Sequence, residues 1–318
     1  MLILEDISGE VPDTNSYHWD MKNLSDDDKK TVMMYGYNSS ANEEIHSRVK
    51  DYDTKIFFNN WAPCEFAQSI DHNNFTPTTY DHRFDVVYSI CPYSNEWLNS
   101  LSLGREYRDI FYPYNTNIIP TAQEKVHDVI YHGGIHGREH IECLEAMSKH
   151  NYQYLTMTHH INRLTASYLW FSTQRDLKFQ QKINEVAKCK VSICYNIVHT
   201  LPPHVPVIQQ QPNWKDNAAF SQLGTGIMPQ FKTRMHEAAI SRTLNLVYKD
   251  PWCVADDYYT PDEDFIYFED QKDLTNKLKD VISDWDNYSP IVESAFQKSQ
   301  QYTTDKFVEK IKKENTDA

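Results

Sequence analysis

The alternation of short apolar runs with amphipathic helical patterns constrains the fold of this chain more than any other feature. Runs typical of buried strands occur at residues 55–61, 84–91, 108–115, 128–132, 152–159, 190–198, 243–249 and 264–268. Helical patterns separate many of them, such as DLTNKLKDVISDW at 273–285 with its apolar side chains on one face. Strands connected through helices pair in parallel, and helices cover both faces of a parallel sheet. The sequence therefore predicts the α/β class.

A break in this alternation divides the chain. The stretch NTNIIPTAQEK at 115–125 is polar, contains a proline and is typical of a linker. We expect two Rossmann-like domains at residues 1–122 and 123–288, with closing helices at 289–318 that cross back to the first domain. The first 50 residues are polar and acidic, which predicts irregular structure with a helix or two. Functional residues are expected in loops after strands, because α/β sheets bind ligands at the carboxyl ends of their strands.

The composition excludes several classes of partner. A formal net charge of -14 over 318 residues gives no general basic field for nucleic acids or anionic membranes. The N-terminus MLILEDISGE lacks the basic flank and long apolar stretch of a signal peptide, and no run is long enough to span a bilayer. The six cysteines form no C-x2-C pair, which favours free buried thiols. These features predict a cytoplasmic globular protein.

The stretch YHGGIHGREH at 131–140 contains two possible functional patterns. In the first pattern, His136 and Glu139 have the spacing of zinc ligands in metallocarboxypeptidases. The chain after His136 is short for the remainder of such a domain. Glycines also interrupt the helix on which His132, His136 and His140 would share one face. A zinc hydrolase is therefore an alternative and not the favoured interpretation.

In the second pattern, Gly133 and Gly134 end a predicted strand and Arg138 begins a predicted helix. Backbone amides in such a turn can approach a phosphate, and the helix dipole favours its negative charge. Arg138 can add a charge-assisted hydrogen bond. A tight turn without any ligand also uses glycine, so this pattern alone does not define a function.

A second polar cluster follows Gly226. Lys232 and Arg234 flank the start of a predicted helix, and Glu237 lies one turn inside it. Two cations beside the amides of a helix start suit a diphosphate, and a carboxylate can accept both hydrogen bonds of a ribose diol. This cluster therefore indicates a site for a nucleoside diphosphate.

These motifs resemble the donor-binding half of GT-B glycosyltransferases, in particular the family 1/4-like members common in phage and large-virus genomes. The family pattern is R-x-F-E-A-A, a small-residue turn, an apolar strand and F-x-P-x-x-x-x-I-x-F/Y. Here RMHEAA (234–239), TLNLVY (243–248) and YYTPDEDFIYFED (258–270) match it, and DVIYHGGIHGREHIECLEAM (128–147) matches the opening of the nucleotide domain. The resemblance covers roughly residues 125–285. It implies a GT-B-like fold, with two Rossmann-like domains whose parallel sheets face a central cleft.

The resemblance also implies the transfer of a sugar from a nucleotide-diphosphate donor, such as a UDP-sugar, to an acceptor hydroxyl. The donor-binding residues that it implies are Gly133, Gly134, Arg138, Gly226, Lys232, Arg234 and Glu237. Glu237 would hold the ribose, and the cations would neutralise the departing diphosphate. Fixed cations and amides can stabilise that charge without a metal, so no cofactor beyond the donor is expected.

The catalytic residues are less clearly marked. Retaining members of the family often carry E-x7-E, whereas Pro229 occupies the position of the first glutamate here. An inverting reaction requires a base that deprotonates the acceptor, and Glu65 in a predicted strand-to-helix loop is placed for that role. His136 is the second candidate for contact with donor or acceptor. We expect a glycan or another hydroxyl acceptor, since the charge does not favour DNA, and a non-catalytic nucleotide-binding module remains an alternative.

Overall fold

A computed structural model of the chain describes residues 2–5, 31–36, 52–59, 84–92, 95–96, 99, 104–135, 137–156, 171–199 and 227–316. The strands are β1 (Leu2–Glu5), β2 (Thr31–Gly36), β3 (Thr54–Asn59), β4 (Val86–Ser89), β5 (Glu106–Asp109), β6 (His127–His132), β7 (Tyr152–Thr156), β8 (Gln174–Arg175), β9 (Cys189–Cys194), β10 (Ile197–His199), β11 (Ile227–Pro229), β12 (Leu244–Tyr248) and β13 (Ile266–Phe268). The α-helices are α1 (Arg138–Met147), α2 (Phe179–Ala187), α3 (Arg234–Ile240), α4 (Gln271–Ser283), α5 (Ser289–Ser299) and α6 (Thr304–Thr316). Within these ranges, no helix has the length and apolar character needed to cross a membrane.

The chain divides into two compact units. The first takes Met1–Pro113, Ile197–Gln230 and Thr304–Ala318, and the second takes Tyr114–Asn196 and Phe231–Thr303. Helix α6 therefore belongs to the first unit although it closes the chain, whereas α5 belongs to the second unit. The sequence-based domain boundaries after residues 122 and 288 stay predictions.

The first unit contains a parallel sheet in the order β1-β2-β3-β4-β5. β1 and β2 lie in the first 50 residues, so the prediction of irregular structure is wrong for these two segments. Their apolar runs are too short to show a period, and parallel pairing along β3 selects the extended form. β5 also begins earlier than the predicted run at 108–115, because Tyr107 is buried opposite Val87.

Helix α6 completes the core of the first unit. The ring of Phe307 meets the ring of Phe58 edge-on, with centroids 4.9 Å apart, and both side chains are fully buried. The hydroxyl of Tyr88 in β4 donates to the carboxylate of Glu314 at 2.7 Å. Because burying a side chain of this size contributes about 1.5–3 kcal/mol, the helix is part of this core and not an appendage.

The second unit is built on a parallel sheet in the order β13-β12-β9-β6-β7-β8. Counted along the chain from β6, the order from β8 to β13 is 3-2-1-4-5-6, which is that of dinucleotide-binding Rossmann sheets. Its central strands have the continuous apolar character of a sheet covered on both faces, and Val129, Val191 and Leu246 are fully buried. The predicted α/β class, with its parallel sheets, is confirmed.

Candidate functional site

The strand order of the second sheet creates a switch point between β6 and β9. From β6 the chain continues to β7 on one side, whereas from β9 it continues to β12 on the other side. Connections that leave neighbouring strands in opposite directions open a crevice beyond their carboxyl ends, and this is where α/β sheets bind ligands. The residues that follow β6 and β9, together with the residues of α3 that contact them, form the candidate site.

The Gly-Gly turn after β6 receives the side chain of Arg234. Gly133 has a φ of 155°, in the region that favours glycine, and a Cβ built on it would lie 2.3 Å from Nη2 of Arg234. The N–H of Gly133 donates to the carbonyl of Leu155 at 3.0 Å, so this amide belongs to the sheet. The guanidinium that packs against position 133 therefore requires a glycine there. The amide of this glycine already donates its hydrogen bond within the sheet.

Tyr131 fixes this turn and the cation beside it. Its hydroxyl donates to the carbonyl of Gly134 at 2.8 Å, and the guanidinium carbon of Arg234 lies 5.4 Å from the centroid of its ring. A cation over an aromatic face is attracted by the ring quadrupole. Burial lowers the pKa of Arg234, but the surrounding Tyr131, Cys194 and Glu237 outweigh it and hold that pKa above its usual value. Arg234 is thus a permanent cation at the switch point.

Glu237 is a buried carboxylate with two basic partners. Its side chain is 4% exposed, and Nζ of Lys182 lies 2.8 Å from each of its two oxygens. Nδ1 of His132 lies 3.1 Å from Oε2, and the hydroxyl of Thr233 donates to Oε1 at 3.3 Å. A carboxylate in the protein interior needs such partners, because an unpaired buried charge is strongly destabilising.

The charge states of this group follow from its surroundings. Burial raises the pKa of Glu237, but attraction to Lys182 and the hydrogen-bonding contact with His132 outweigh burial and hold the pKa well below its usual range. Burial lowers the pKa of His132 by more than Glu237 raises it. Near pH 7 the site therefore holds an ionised carboxylate and a neutral imidazole, with Lys182 as the counter-ion.

His132 joins the carboxylate to the neighbouring strand. Its Nε2 lies 3.2 Å from the hydroxyl of Ser192 in β9, while its Nδ1 faces Glu237. His140, which the sequence places on the same four-residue ladder, is buried in α1 with its ring centroid 4.7 Å from that of Tyr195. These two histidines therefore have different partners and different surroundings.

The other two predicted cations occupy contrasting positions. The backbone N–H of Lys232 donates to Oδ1 of Asn196, which follows β9, at 2.9 Å. This contact places the start of α3 beside the switch point. The side chain of Arg138 is 89% exposed, and its Nε donates to the carboxylate of Glu142 one turn later at 2.7 Å. Arg138 thus lies on the surface of α1.

Three predicted site residues, Glu65, His136 and Gly226, lie outside the described residues. The catalytic assignment to Glu65 and His136 therefore stays a prediction, and so does the zinc pair of His136 with Glu139. The described member of that pair, Glu139, has its carboxylate 3.3 Å from Nδ1 of the neighbouring His140.

Sequence reasoning missed Lys182 and the role of His132. Lys182 lies on the amphipathic helix α2, 55 positions before Glu237 in the chain. Its local sequence is that of an ordinary solvent-facing lysine. His132 is conspicuous in the sequence as one of three histidines and not as the partner of a carboxylate. A usable signal is that His132 and Ser192 lie in or directly after the apolar part of their strands, where a polar group becomes buried and requires a partner.

No protein-family model matches the chain, and no curated protein matches its sequence. Similar solved structures include HepE from Anabaena in complex with UDP and glucose, with a TM-score of 0.56 and 10% identity over 91% of this chain and 78% of HepE. Sucrose-phosphate synthase from Thermosynechococcus elongatus has a TM-score of 0.56 and 10% identity over 89% of this chain and 72% of its own. A mutant of S. aureus TarM in complex with UDP has a TM-score of 0.54 and 11% identity over 88% of this chain.

These three proteins are GT-B glycosyltransferases. The GT-B-like fold class expected from the sequence is therefore confirmed. At identities of 10–11% the likeness defines the fold, and the chain spans only 54% of the length of TarM. The zinc hydrolase alternative receives no support from these structures.

Proposed function

We propose that this protein is a glycosyltransferase that moves a sugar from a nucleoside diphosphate to an acceptor hydroxyl. The observation that supports this function best is the buried, ionised Glu237 beside the switch point, together with the guanidinium of Arg234 at the Gly-Gly turn. A carboxylate accepts from both hydroxyls of a ribose, and a guanidinium matches phosphate oxygens with two parallel donors. The two groups suit the two ends of one nucleoside diphosphate.

UDP is the nucleotide that we propose for the donor. HepE and TarM are in complex with UDP, and the pneumococcal O-GlcNAc transferase GtfA, with a TM-score of 0.53 and 9% identity, is in complex with UDP and GlcNAc. We therefore expect a UDP-hexose, such as UDP-glucose or UDP-GlcNAc, to be the first donor to test.

In the proposed reaction, the acceptor oxygen forms a bond to the anomeric carbon while the bond from that carbon to the diphosphate oxygen breaks. The acceptor proton passes to a base, and the diphosphate leaves with the bonding electrons and an additional negative charge. Arg234 and Lys232 are the cations that we assign to this charge, since preorganised cations stabilise charge that develops in the transition state. Glu65 and His136 remain the predicted catalytic residues.

Several finer features belong to the same proposal. The fixed cations are expected to replace a metal ion at the diphosphate. A glycan or another small hydroxyl compound is the proposed acceptor, because a net charge of -14 disfavours a duplex nucleic acid. A cytoplasmic location, in the host if the protein is viral, also stays a prediction.

Nucleotide binding provides the test of this function. Thermal unfolding is followed with UDP, GDP, ADP and their sugar conjugates, and UDP is expected to raise the Tm most. A ligand at a hundred times its Kd stabilises the folded state by about 2.7 kcal/mol, which such a scan resolves. Glu237→Gln is expected to abolish the UDP response. The matched control is Glu185→Gln, because Glu185 also pairs with a lysine, Lys188 at 2.7 Å, but outside the site.

Turnover separates an enzyme from a binding module. Release of UDP from UDP-glucose or UDP-GlcNAc, increased by glycan acceptors, is the result expected from a glycosyltransferase. UDP binding without release of UDP from any donor would support a non-catalytic nucleotide-binding module. A wild-type protein that responds to none of the nucleotides contradicts the proposed function.

A further inference from the structure

Lys182 is the partly exposed, charged partner of the buried Glu237. The side chains of Glu237 and His132 are 4% and 1% exposed, whereas that of Lys182 is 26% exposed. A ligand that approaches the carboxylate along the ammonium therefore meets Lys182 first. A ligand that contacts the carboxylate from this side therefore contacts Lys182 as well.

The ammonium of Lys182 is held in place from two directions. Its Nζ lies 2.8 Å from both oxygens of Glu237, and it lies 4.4 Å from the centroid of the Phe179 ring on the same helix. The aromatic face attracts the cation and limits the positions of its long side chain. Such a fixed lysine loses little conformational freedom when a ligand binds.

A ribose diol requires donors as well as acceptors. Each hydroxyl donates one hydrogen bond and accepts others, whereas an ionised carboxylate can only accept. An ammonium carries three N–H donors, and its two contacts with Glu237 use at most two of them. Lys182 thus has a donor to offer beside the carboxylate that accepts from the diol.

We propose that Lys182 binds the ribose of the nucleotide. Its ammonium donates a hydrogen bond to a ribose hydroxyl oxygen, while Glu237 accepts hydrogen bonds from the diol. This inference rests on the proposed nucleotide function and adds a specificity to it. Lys182 and Glu237 form a single recognition unit for a 2′,3′-diol. A nucleotide that lacks both hydroxyls loses the contacts to both residues.

The test compares UDP with its 2′,3′-dideoxy form by isothermal titration of the full chain. Wild-type protein is expected to bind UDP at least tenfold more tightly than the dideoxy nucleotide, because hydrogen bonds to charged groups are the strong ones. Lys182→Met is expected to weaken UDP binding about tenfold and to leave the affinity for dideoxy-UDP within about threefold of wild type. Lys188→Met, which removes the lysine of another lysine–glutamate pair on the same segment, is expected to change neither affinity.

Lys182→Arg keeps a cation next to Glu237 and is expected to retain most of the discrimination between the two nucleotides. It also provides the test if Lys182→Met fails to fold. A folded Lys182→Arg protein that loses some affinity for UDP and keeps the wild-type affinity for dideoxy-UDP supports the proposal. A folded Lys182→Arg protein whose affinity for UDP is unchanged, or falls together with that for dideoxy-UDP, contradicts it.

Four results would overturn the proposal. A folded Lys182→Met protein that binds UDP as tightly as wild type would remove the lysine from the subsite. An equal loss of affinity for both nucleotides would show a structural role only. Wild-type protein that binds UDP and dideoxy-UDP equally would exclude the ribose subsite while leaving a nucleotide function in place, whereas wild-type protein that binds neither would reject both proposals.

Discussion

Arg138 and Arg234 each open a helix of the second unit, yet their surroundings differ completely. Arg138 extends from α1 with 89% of its side chain exposed and pairs with Glu142 on the same helix. Arg234 lies against Gly133 and over the ring of Tyr131. A cation at a helix start therefore acquires its role from the residues that the fold places beneath it.

The largest effect is expected from Arg234→Met. The change removes the fixed cation from the switch point and, with it, up to two charge-assisted hydrogen bonds to the diphosphate. Each such bond contributes about 1.5–3 kcal/mol, so the affinity for UDP should fall about a hundredfold or more. Isothermal titration with UDP measures this loss, and circular dichroism checks that the variant is folded. Wild-type affinity in the folded variant would remove Arg234 from the site.

Gly133→Ala tests whether the turn exists to receive Arg234. The added Cβ would lie 2.3 Å from the guanidinium, which must move, and overpacking of this kind costs about 1–3 kcal/mol. Both the Tm and the affinity for UDP should therefore fall. Gly104→Ala is the control, because Gly104 also has a positive φ, 74°, but its Cβ would meet no described atom within 4 Å.

The Gly104→Ala control should show the backbone strain alone, about 1–2 kcal/mol, with UDP affinity unchanged. Equal effects of the two substitutions on Tm and on UDP binding would mean that position 133 requires glycine only for its backbone conformation. The contact with Arg234 would then not explain the glycine.

A smaller effect is expected from pH, through His132. Because burial lowers the pKa of this imidazole in the folded state, the unfolded chain binds a proton more readily. The stability that His132 contributes is complete above its unfolded pKa of about 6.5 and is lost as the pH falls below that value. The difference in Tm between wild type and His132→Gln should therefore narrow from pH 7.5 to pH 5. A difference that is constant or widens over this range contradicts the buried neutral imidazole.

The smallest effect is expected from Arg138→Met. An exposed i,i+4 ion pair contributes about 0.3–0.5 kcal/mol, so the Tm should barely change. The affinity for UDP should stay within about threefold of wild type, measured in the same titration as Arg234→Met. A loss as large as that of Arg234→Met would support Arg138 as a phosphate ligand, which the sequence resemblance implies, and would contradict the contrast between the two arginines.

Much of the second unit could be predicted from the sequence because its central strands are continuous apolar runs that alternate with amphipathic helical patterns. β12 lies within the apolar run that predicts it, whereas β6 and β9 each begin one residue before the runs at 128–132 and 190–198. β9 also ends at Cys194, before the end of its run. β1 and β2 could not be predicted, since four to six residues among polar neighbours carry too little periodicity. Their extended form depends on pairing with strands that are distant in sequence.

Local periodicity and residue chemistry encode the α/β class, the Gly-Gly turn and the carboxylate at Glu237, so these features can be predicted from the sequence. The cations that this carboxylate contacts depend on the tertiary structure. Lys182 is 55 positions away from Glu237 in the chain, and no local pattern links two such residues. The order of the strands brings them together, and burial then makes their pairing necessary, since a lone charge in that position would destabilise the fold.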